Sequence, residues 1–117
     1  MQVSILKVRN NQETNAHIIP AKTAQLPSLT DGWRFNFKSN TQKEKLMTYV
    51  LIADETPDLI EGCVSFKMKS KTEPYMAYIE LAPHNRGLNQ IYDRAAGCLI
   101  AFACRIHNYY GIFTRSW

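Results

Sequence analysis

The sequence predicts an α+β domain: a mixed, mainly antiparallel sheet that carries one buried helix. Three stretches lead to that expectation. Leu46–Ala53 (LMTYVLIA) and Ile60–Met68 (IEGCVSFKM) are β-prone runs on either side of the turn Asp54-Glu55-Thr56-Pro57-Asp58, spaced for an antiparallel hairpin. Tyr75–Ala82 follows as a third strand, stopped by Pro83. Ala95–Asn108 (AAGCLIAFACRIHN) is apolar almost all round, a pattern a helix sustains when most of its surface is covered.

The remaining elements fall around these. Val3, Ile5 and Val8 mark a first strand over Val3–Val8, and Asn10 to Asn15 reads as a polar turn. Ile18–Leu29 is ambiguous: Pro20 suits the first turn of a short helix, PAKTAQL, which Pro27 would close. After the Asp31-Gly32 turn signal, Trp33, Phe35 and Phe37 alternate with polar residues. Period two suggests an extended segment with three core aromatics on one face; a short helix docked by its aromatics is the other reading. Lys69–Pro74 is a charged connection and residues 84–94 a polar loop. Arg105 and His107 complement the dipole at the end of the apolar helix, and Asn108 or Gly111 would cap it. Tyr109–Trp117 (YYGIFTRSW) is aromatic and β-prone, so a final strand is expected. A strand–helix–strand crossover would then pair it in parallel with Tyr75–Ala82.

Composition narrows the function classes. With 117 residues, of which 45% are hydrophobic, the chain is expected to be one domain over 1–117 with a packed core. The formal net charge of +4 is scattered, and no block of five like charges occurs. That describes a mildly positive solvated surface, and no motif points to a nucleic-acid partner. Cys63, Cys98 and Cys104 are odd in number and lack C-x-x-C spacing, so they read as apolar thiols in a reducing compartment, with no metal site. The start of the chain lacks signal-peptide character, and the longest apolar run, Ala95–Cys104, is too short to span a bilayer. A cytoplasmic protein without a membrane partner is expected.

The chemistry concentrates in Tyr75–Ile106. A strand, a polar loop and a helix that opens on small residues leave free backbone N–H groups at a helix N-terminus, a seat for an anion such as a pyrophosphate. Asp93 is placed to cap that helix. Arg86-Gly87 adds a second basic, flexible position in the loop.

In this order of elements the chain resembles the GNAT N-acetyltransferase superfamily. The likeness spans about residues 45–113 and rests on LMTYVLIADETPDLIEGCVSFKMK, YMAYIELAP and AAGCLIAFACRI. It implies an acyl-CoA N-acyltransferase-like fold that uses acetyl-CoA as co-substrate, needs no metal, and acetylates a small-molecule or peptide amine. In that family the pantetheine arm lies along the fourth strand, in a splay between two parallel strands, and the diphosphate sits at the start of the following helix. The positions implied here are Ile79, Leu81 and Ala82 on the strand, and Arg94, Ala95, Ala96, Gly97 and Cys98 at the helix start. Glu80 is implied as the base that deprotonates the acceptor amine; a solvent-facing strand glutamate is the plainer reading of the same residue.

The chain departs from the family in two places. The family's diphosphate signature is Arg or Gln, two residues, Gly, one residue, then Gly or Ala. It falls on Ile91 to Ala96, so Ile91 stands for the Arg or Gln and Arg94 for the Gly, while Ala96 fits. The family's usual last helix and strands have no counterpart before Trp117, so the resemblance implies a truncated acetyltransferase-like domain. A homo-oligomer joined through the C-terminal strand is therefore expected, to cover the exposed apolar edge. The alternative function is a non-catalytic acetyltransferase-like domain that self-associates or binds a protein partner.

Overall fold

A computed structural model describes residues 1–71 and 73–114, with side chains to His107. The protein is α+β. Six strands form one sheet: β1 (Gln2–Lys7), β2 (Gln12–Pro20), β3 (Met47–Ala53), β4 (Ile60–Ser70), β5 (Glu73–Leu81) and the two-residue β6 (Tyr92–Asp93). Their spatial order is β5-β4-β3-β2-β1-β6, and every pairing is antiparallel. Helix α1 (Phe37–Glu44) joins β2 to β3, and α2 (Ala95–Thr114) follows β6.

Strand periodicity divides the core in two. Leu51 and Ala53 on β3 and Val64 and Phe66 on β4 face α2, where they meet its Ala95, Leu99 and Phe102. Val50 and Cys63 point the other way, into a second cluster with Leu26, Trp33 and Phe37 on the α1 side. Because β3 is covered on both faces, its sequence is almost continuously apolar. The α2 layer is aromatic where it crosses the sheet: Phe102 stacks at 4.8 Å from Tyr49 and 6.2 Å from Phe66, centroid to centroid. On the opposite side a buried hydroxyl chain links α1 to the sheet, Thr41 to Thr48 and Thr48 to Ser65, each at 2.7 Å.

The expected β3–β4–β5 meander forms, and β4 and β5 meet in a tight hairpin with Ser70 opposite Glu73. Four expectations need correction. The polar residues Gln12 to Asn15 are not a turn but the first half of β2, paired with Lys7 down to Ser4; the turn is tighter, with Asn11 at φ 56°. This end of β2 is mostly exposed, so polar side chains suit it. Pro20 ends β2 opposite Tyr49 instead of opening a helix, and the helical part of PAKTAQL is the single 3-10 turn Thr23–Gln25 before Pro27. The Trp33–Phe37 alternation is no strand: Asn36 caps α1 by accepting from Ser39 N at 3.0 Å, and Phe37 is the helix's first residue.

The fourth correction concerns the chain end. Tyr109–Thr114 continue α2 and form no strand, so neither the parallel pairing nor a dimer edge made by that strand exists there; Arg115–Trp117 lie outside the described residues. Ile106, Tyr109, Tyr110 and Phe113 recur at three- and four-residue intervals, a helical spacing that the β-prone composition masked.

Helix α2 approaches the sheet closely at Gly62 on β4, where an added Cβ would lie 2.7 Å from Leu99 Cδ1. Gly62→Ala should therefore cost about 1–3 kcal/mol by overpacking. In a Leu99→Ala background the same change should cost close to nothing, because the obstructing methyl is gone. Urea denaturation of the four proteins of this cycle tests the contact; simple additivity of the two single changes would rule it out.

Candidate functional site

The strand–loop–helix unit forms as a β5–turn–β6–α2 path. β5 is the edge of the sheet: it pairs with β4 on one side, and among the described residues no strand occupies the other. The expected splay therefore lacks its second, parallel wall, and the strand presents a free backbone edge instead. Ile79 and Leu81 on this strand are half-buried. Ala82 is buried and its N–H is committed to Glu61 O at 3.0 Å. Between the hairpin end of β4 and β5 and the flank of α2 lies an open groove of about 630 Å³, lined by Phe66, Tyr75, Met76, Ile100 and Ala103.

Helix α2 begins with an unusual residue. Arg94 has φ 69°, in the left-handed region that glycine enters freely and other residues rarely do. This is the position at which the resembling family carries glycine. The Arg94 N–H donates to Asp93 Oδ1 at 2.8 Å, so Asp93 braces the turn one residue away and does not reach into the helix. The Arg94 side chain extends to Glu13 Oε1 at 3.3 Å. The first intrahelical bond runs from Cys98 N to Arg94 O, 3.0 Å.

Ala95 is buried under the turn, whereas Ala96 and Gly97 are exposed, and a side chain added at Gly97 would meet open space. Cys98 leans its Sγ toward Ser4 O at 3.5 Å, and burial raises its thiol pKa. The exposed amides of the first turn and the groove lie along one helix, about 6–8 Å apart in rise. The exposed first turn and the apolar groove are thus neighbours along α2.

Glu80 is not free. Its carboxylate is buried and accepts from Arg34 N at 2.7 Å and Phe35 N at 2.8 Å, and Arg86 lies 2.7 Å from Oε2. Arg86 also donates to Leu81 O and Gly32 O. The residue acts as a clamp that fastens the 32–35 segment to β5. Neither strand-facing alternation nor the resemblance indicates this; the loop amides that converge on it are 45 residues away in sequence. The same carboxylate adds its charge to the burial that pushes the Cys63 thiol upward.

Sequence reasoning also missed Glu61, fully buried on β4 and bonded to His84 and Asn85. Tyr92 went unremarked as well: it donates to Glu55, and its phenol is pushed up to about 12, first by burial and then by that bond. Among the described residues no group of three or more His, Cys, Asp or Glu side chains could hold a metal ion. Among the described residues no helix is long and apolar enough to cross a membrane. Comparison with protein-family models, with curated proteins and with solved structures finds no match to this chain.

The clamp makes a quantitative statement about Glu80. Removing one partner of a buried ion pair leaves the other uncompensated, so Glu80→Ala should lower unfolding stability by about 3 kcal/mol. An unclamped surface glutamate would change it by less than about 0.5 kcal/mol. Equilibrium urea unfolding separates the two.

Proposed function

We propose that this chain is an acyl-CoA-binding domain of the N-acetyltransferase type, which uses acetyl-CoA to acetylate an amine. The observation that carries the reading is the left-handed Arg94 at the start of α2, at the place of the family's glycine, on the helix whose flank forms a groove with the first residues of β5. The amides of Ala96 and Gly97 would receive the diphosphate, assisted by the helix dipole and the nearby Arg94 guanidinium. The pantetheine amides would pair with the β5 edge near Ile79 and Leu81 in the manner of an added strand. Apolar Tyr75, Met76 and Ile100 would cover the arm.

Calorimetric titration with acetyl-CoA tests this directly. Saturable heat and a raised melting temperature are expected. Gly97→Glu, which meets open space and so leaves stability unchanged, should weaken binding at least tenfold by placing a carboxylate at the anion seat. Absence of heat at millimolar acetyl-CoA, or full binding by Gly97→Glu, would defeat the reading.

The engaged state of Glu80 favours a second reading, in which the domain binds without catalysing and associates with itself. The surface for this is the edge of β5, where Tyr75–Ile79 carry no charge to discourage strand pairing. Light scattering should then show a concentration-dependent dimer that Met76→Lys abolishes. A monomer at millimolar concentration removes this alternative.

A further inference from the structure

On the sheet face opposite α2, a second constellation sits where the β3–β4 turn meets the turn after β5. Glu61 is fully buried; its Oε1 accepts from Asn85 Nδ2 at 2.9 Å and lies 2.6 Å from His84 Nε2. An ionised Glu61 carboxylate has no proton to donate, so in this pair Nε2 carries the ring proton. In the neutral imidazole the lone pair is then on Nδ1. Glu61 Oε2 is buried with no hydrogen-bond partner.

Asn85 accounts for the local fold: it also binds Glu61 O at 3.0 Å and receives Tyr92 N at 3.0 Å, joining β4 to β6. Those bonds need an acceptor at residue 61 but no negative charge. A buried carboxylate is costly unless it faces a cation, and His84 is the group bonded to it that becomes one on accepting a proton.

His84 lines a cleft of about 430 Å³ bounded by Leu26, Pro27, Trp33, Asp58, Leu59 and Ala82. Asp31 and Asp58 are its other ionisable groups, and no Lys or Arg lines it among the described residues. Asp31 is engaged by Ser28 N at 2.9 Å. Two carboxylates, apolar walls and an imidazole lone pair suit a small organic ammonium ion.

We propose that this cleft binds a primary ammonium ligand with an apolar body, and that His84 Nδ1 accepts its proton while Glu61 acts as the positioning residue. In that step one N–H bond of the ammonium breaks and its electron pair stays on nitrogen as the free amine. The proton forms a new bond to Nδ1, and the imidazolium is balanced by the Glu61 carboxylate. The cleft and the α2 groove lie on opposite faces of the sheet, so the proposal goes beyond the acyl-transfer reading, and ligand binding here requires no acyl-CoA.

The test follows the His84 ring by ¹H–¹³C NMR in the full chain titrated with phenethylammonium chloride, and separately with neutral 2-phenylethanol. Saturable His84 shifts are expected with the ammonium, at least tenfold weaker binding with the alcohol, and a several-fold loss of ammonium affinity in Asp58→Asn. The rate at which diethyl pyrocarbonate modifies His84 should fall at least fivefold in Glu61→Gln, with exposed His17 unchanged. An equal response to the alcohol, unaltered affinity in Asp58→Asn, or an unaltered His84 rate in Glu61→Gln overturns the proposal. If Glu61→Gln does not fold, the two ligands and Asp58→Asn decide it alone. Ammonium binding without acetyl-CoA binding would remove the transferase reading and keep the cleft; the reverse would remove the cleft alone.

Discussion

The carboxylate of Glu80 is the constraint on which the geometry of both candidate sites depends. It sits on the outermost long strand and holds the amides of Arg34 and Phe35, which belong to the segment leading into α1. That grip seats Trp33 and Phe37 edge to face, 5.7 Å apart, on the α1 side of the sheet. Through Arg86 the same carboxylate fixes the turn that carries His84 and Asn85. A buried anion with three donors is expensive to disturb, because removing any one of them leaves charge without compensation. The strand edge, the aromatic layer and the loop before α2 are therefore held in one arrangement.

The two faces of the sheet carry different chemistry. The α2 face is apolar and aromatic, and it carries an open groove. The α1 face mixes a hydroxyl chain, buried carboxylates and an acid-rimmed cleft. Period-two alternation on β3, β4 and β5 sends successive side chains to opposite faces, so these two environments lie a single residue apart in sequence. Cys63 and Val64 show the division: one belongs to the α1-side cluster, its neighbour to the α2-side core.

The parts legible in the sequence were those whose neighbours in space are neighbours in the chain. The β3–β4–β5 meander and the start of α2 at Ala95 could be read from periodicity and turn residues. β2 was obscured because its exposed half carries polar residues that resemble a turn, and β6 because two residues show no period at all. The helical end of α2 was hidden by aromatic residues that suit either state; spacing, not composition, was the better guide there. At the candidate site, Arg94 was visible as an oddity, but its left-handed conformation is a property of the backbone. Glu80 was visible as a residue and invisible as a clamp, since its partners lie in a segment without regular structure. Glu61 lay in the earlier half of its strand, before the alternation that begins at Val64, and nothing in the local pattern singled it out.

The order β5-β4-β3-β2-β1-β6 also bears on how the molecule assembles. Each of the first five strands lies beside its neighbour in sequence, through short turns except for the longer segment with α1 between β2 and β3, so the bulk of the sheet closes at modest entropic cost. The exception is β6, whose Asp93 pairs with Leu6 across almost the whole chain. That pairing becomes inexpensive only after the meander has brought the two ends of the sheet into a fixed frame. The proposed anion seat stands directly after β6, so it takes shape from the longest-range closure in the fold, even though its residues are consecutive.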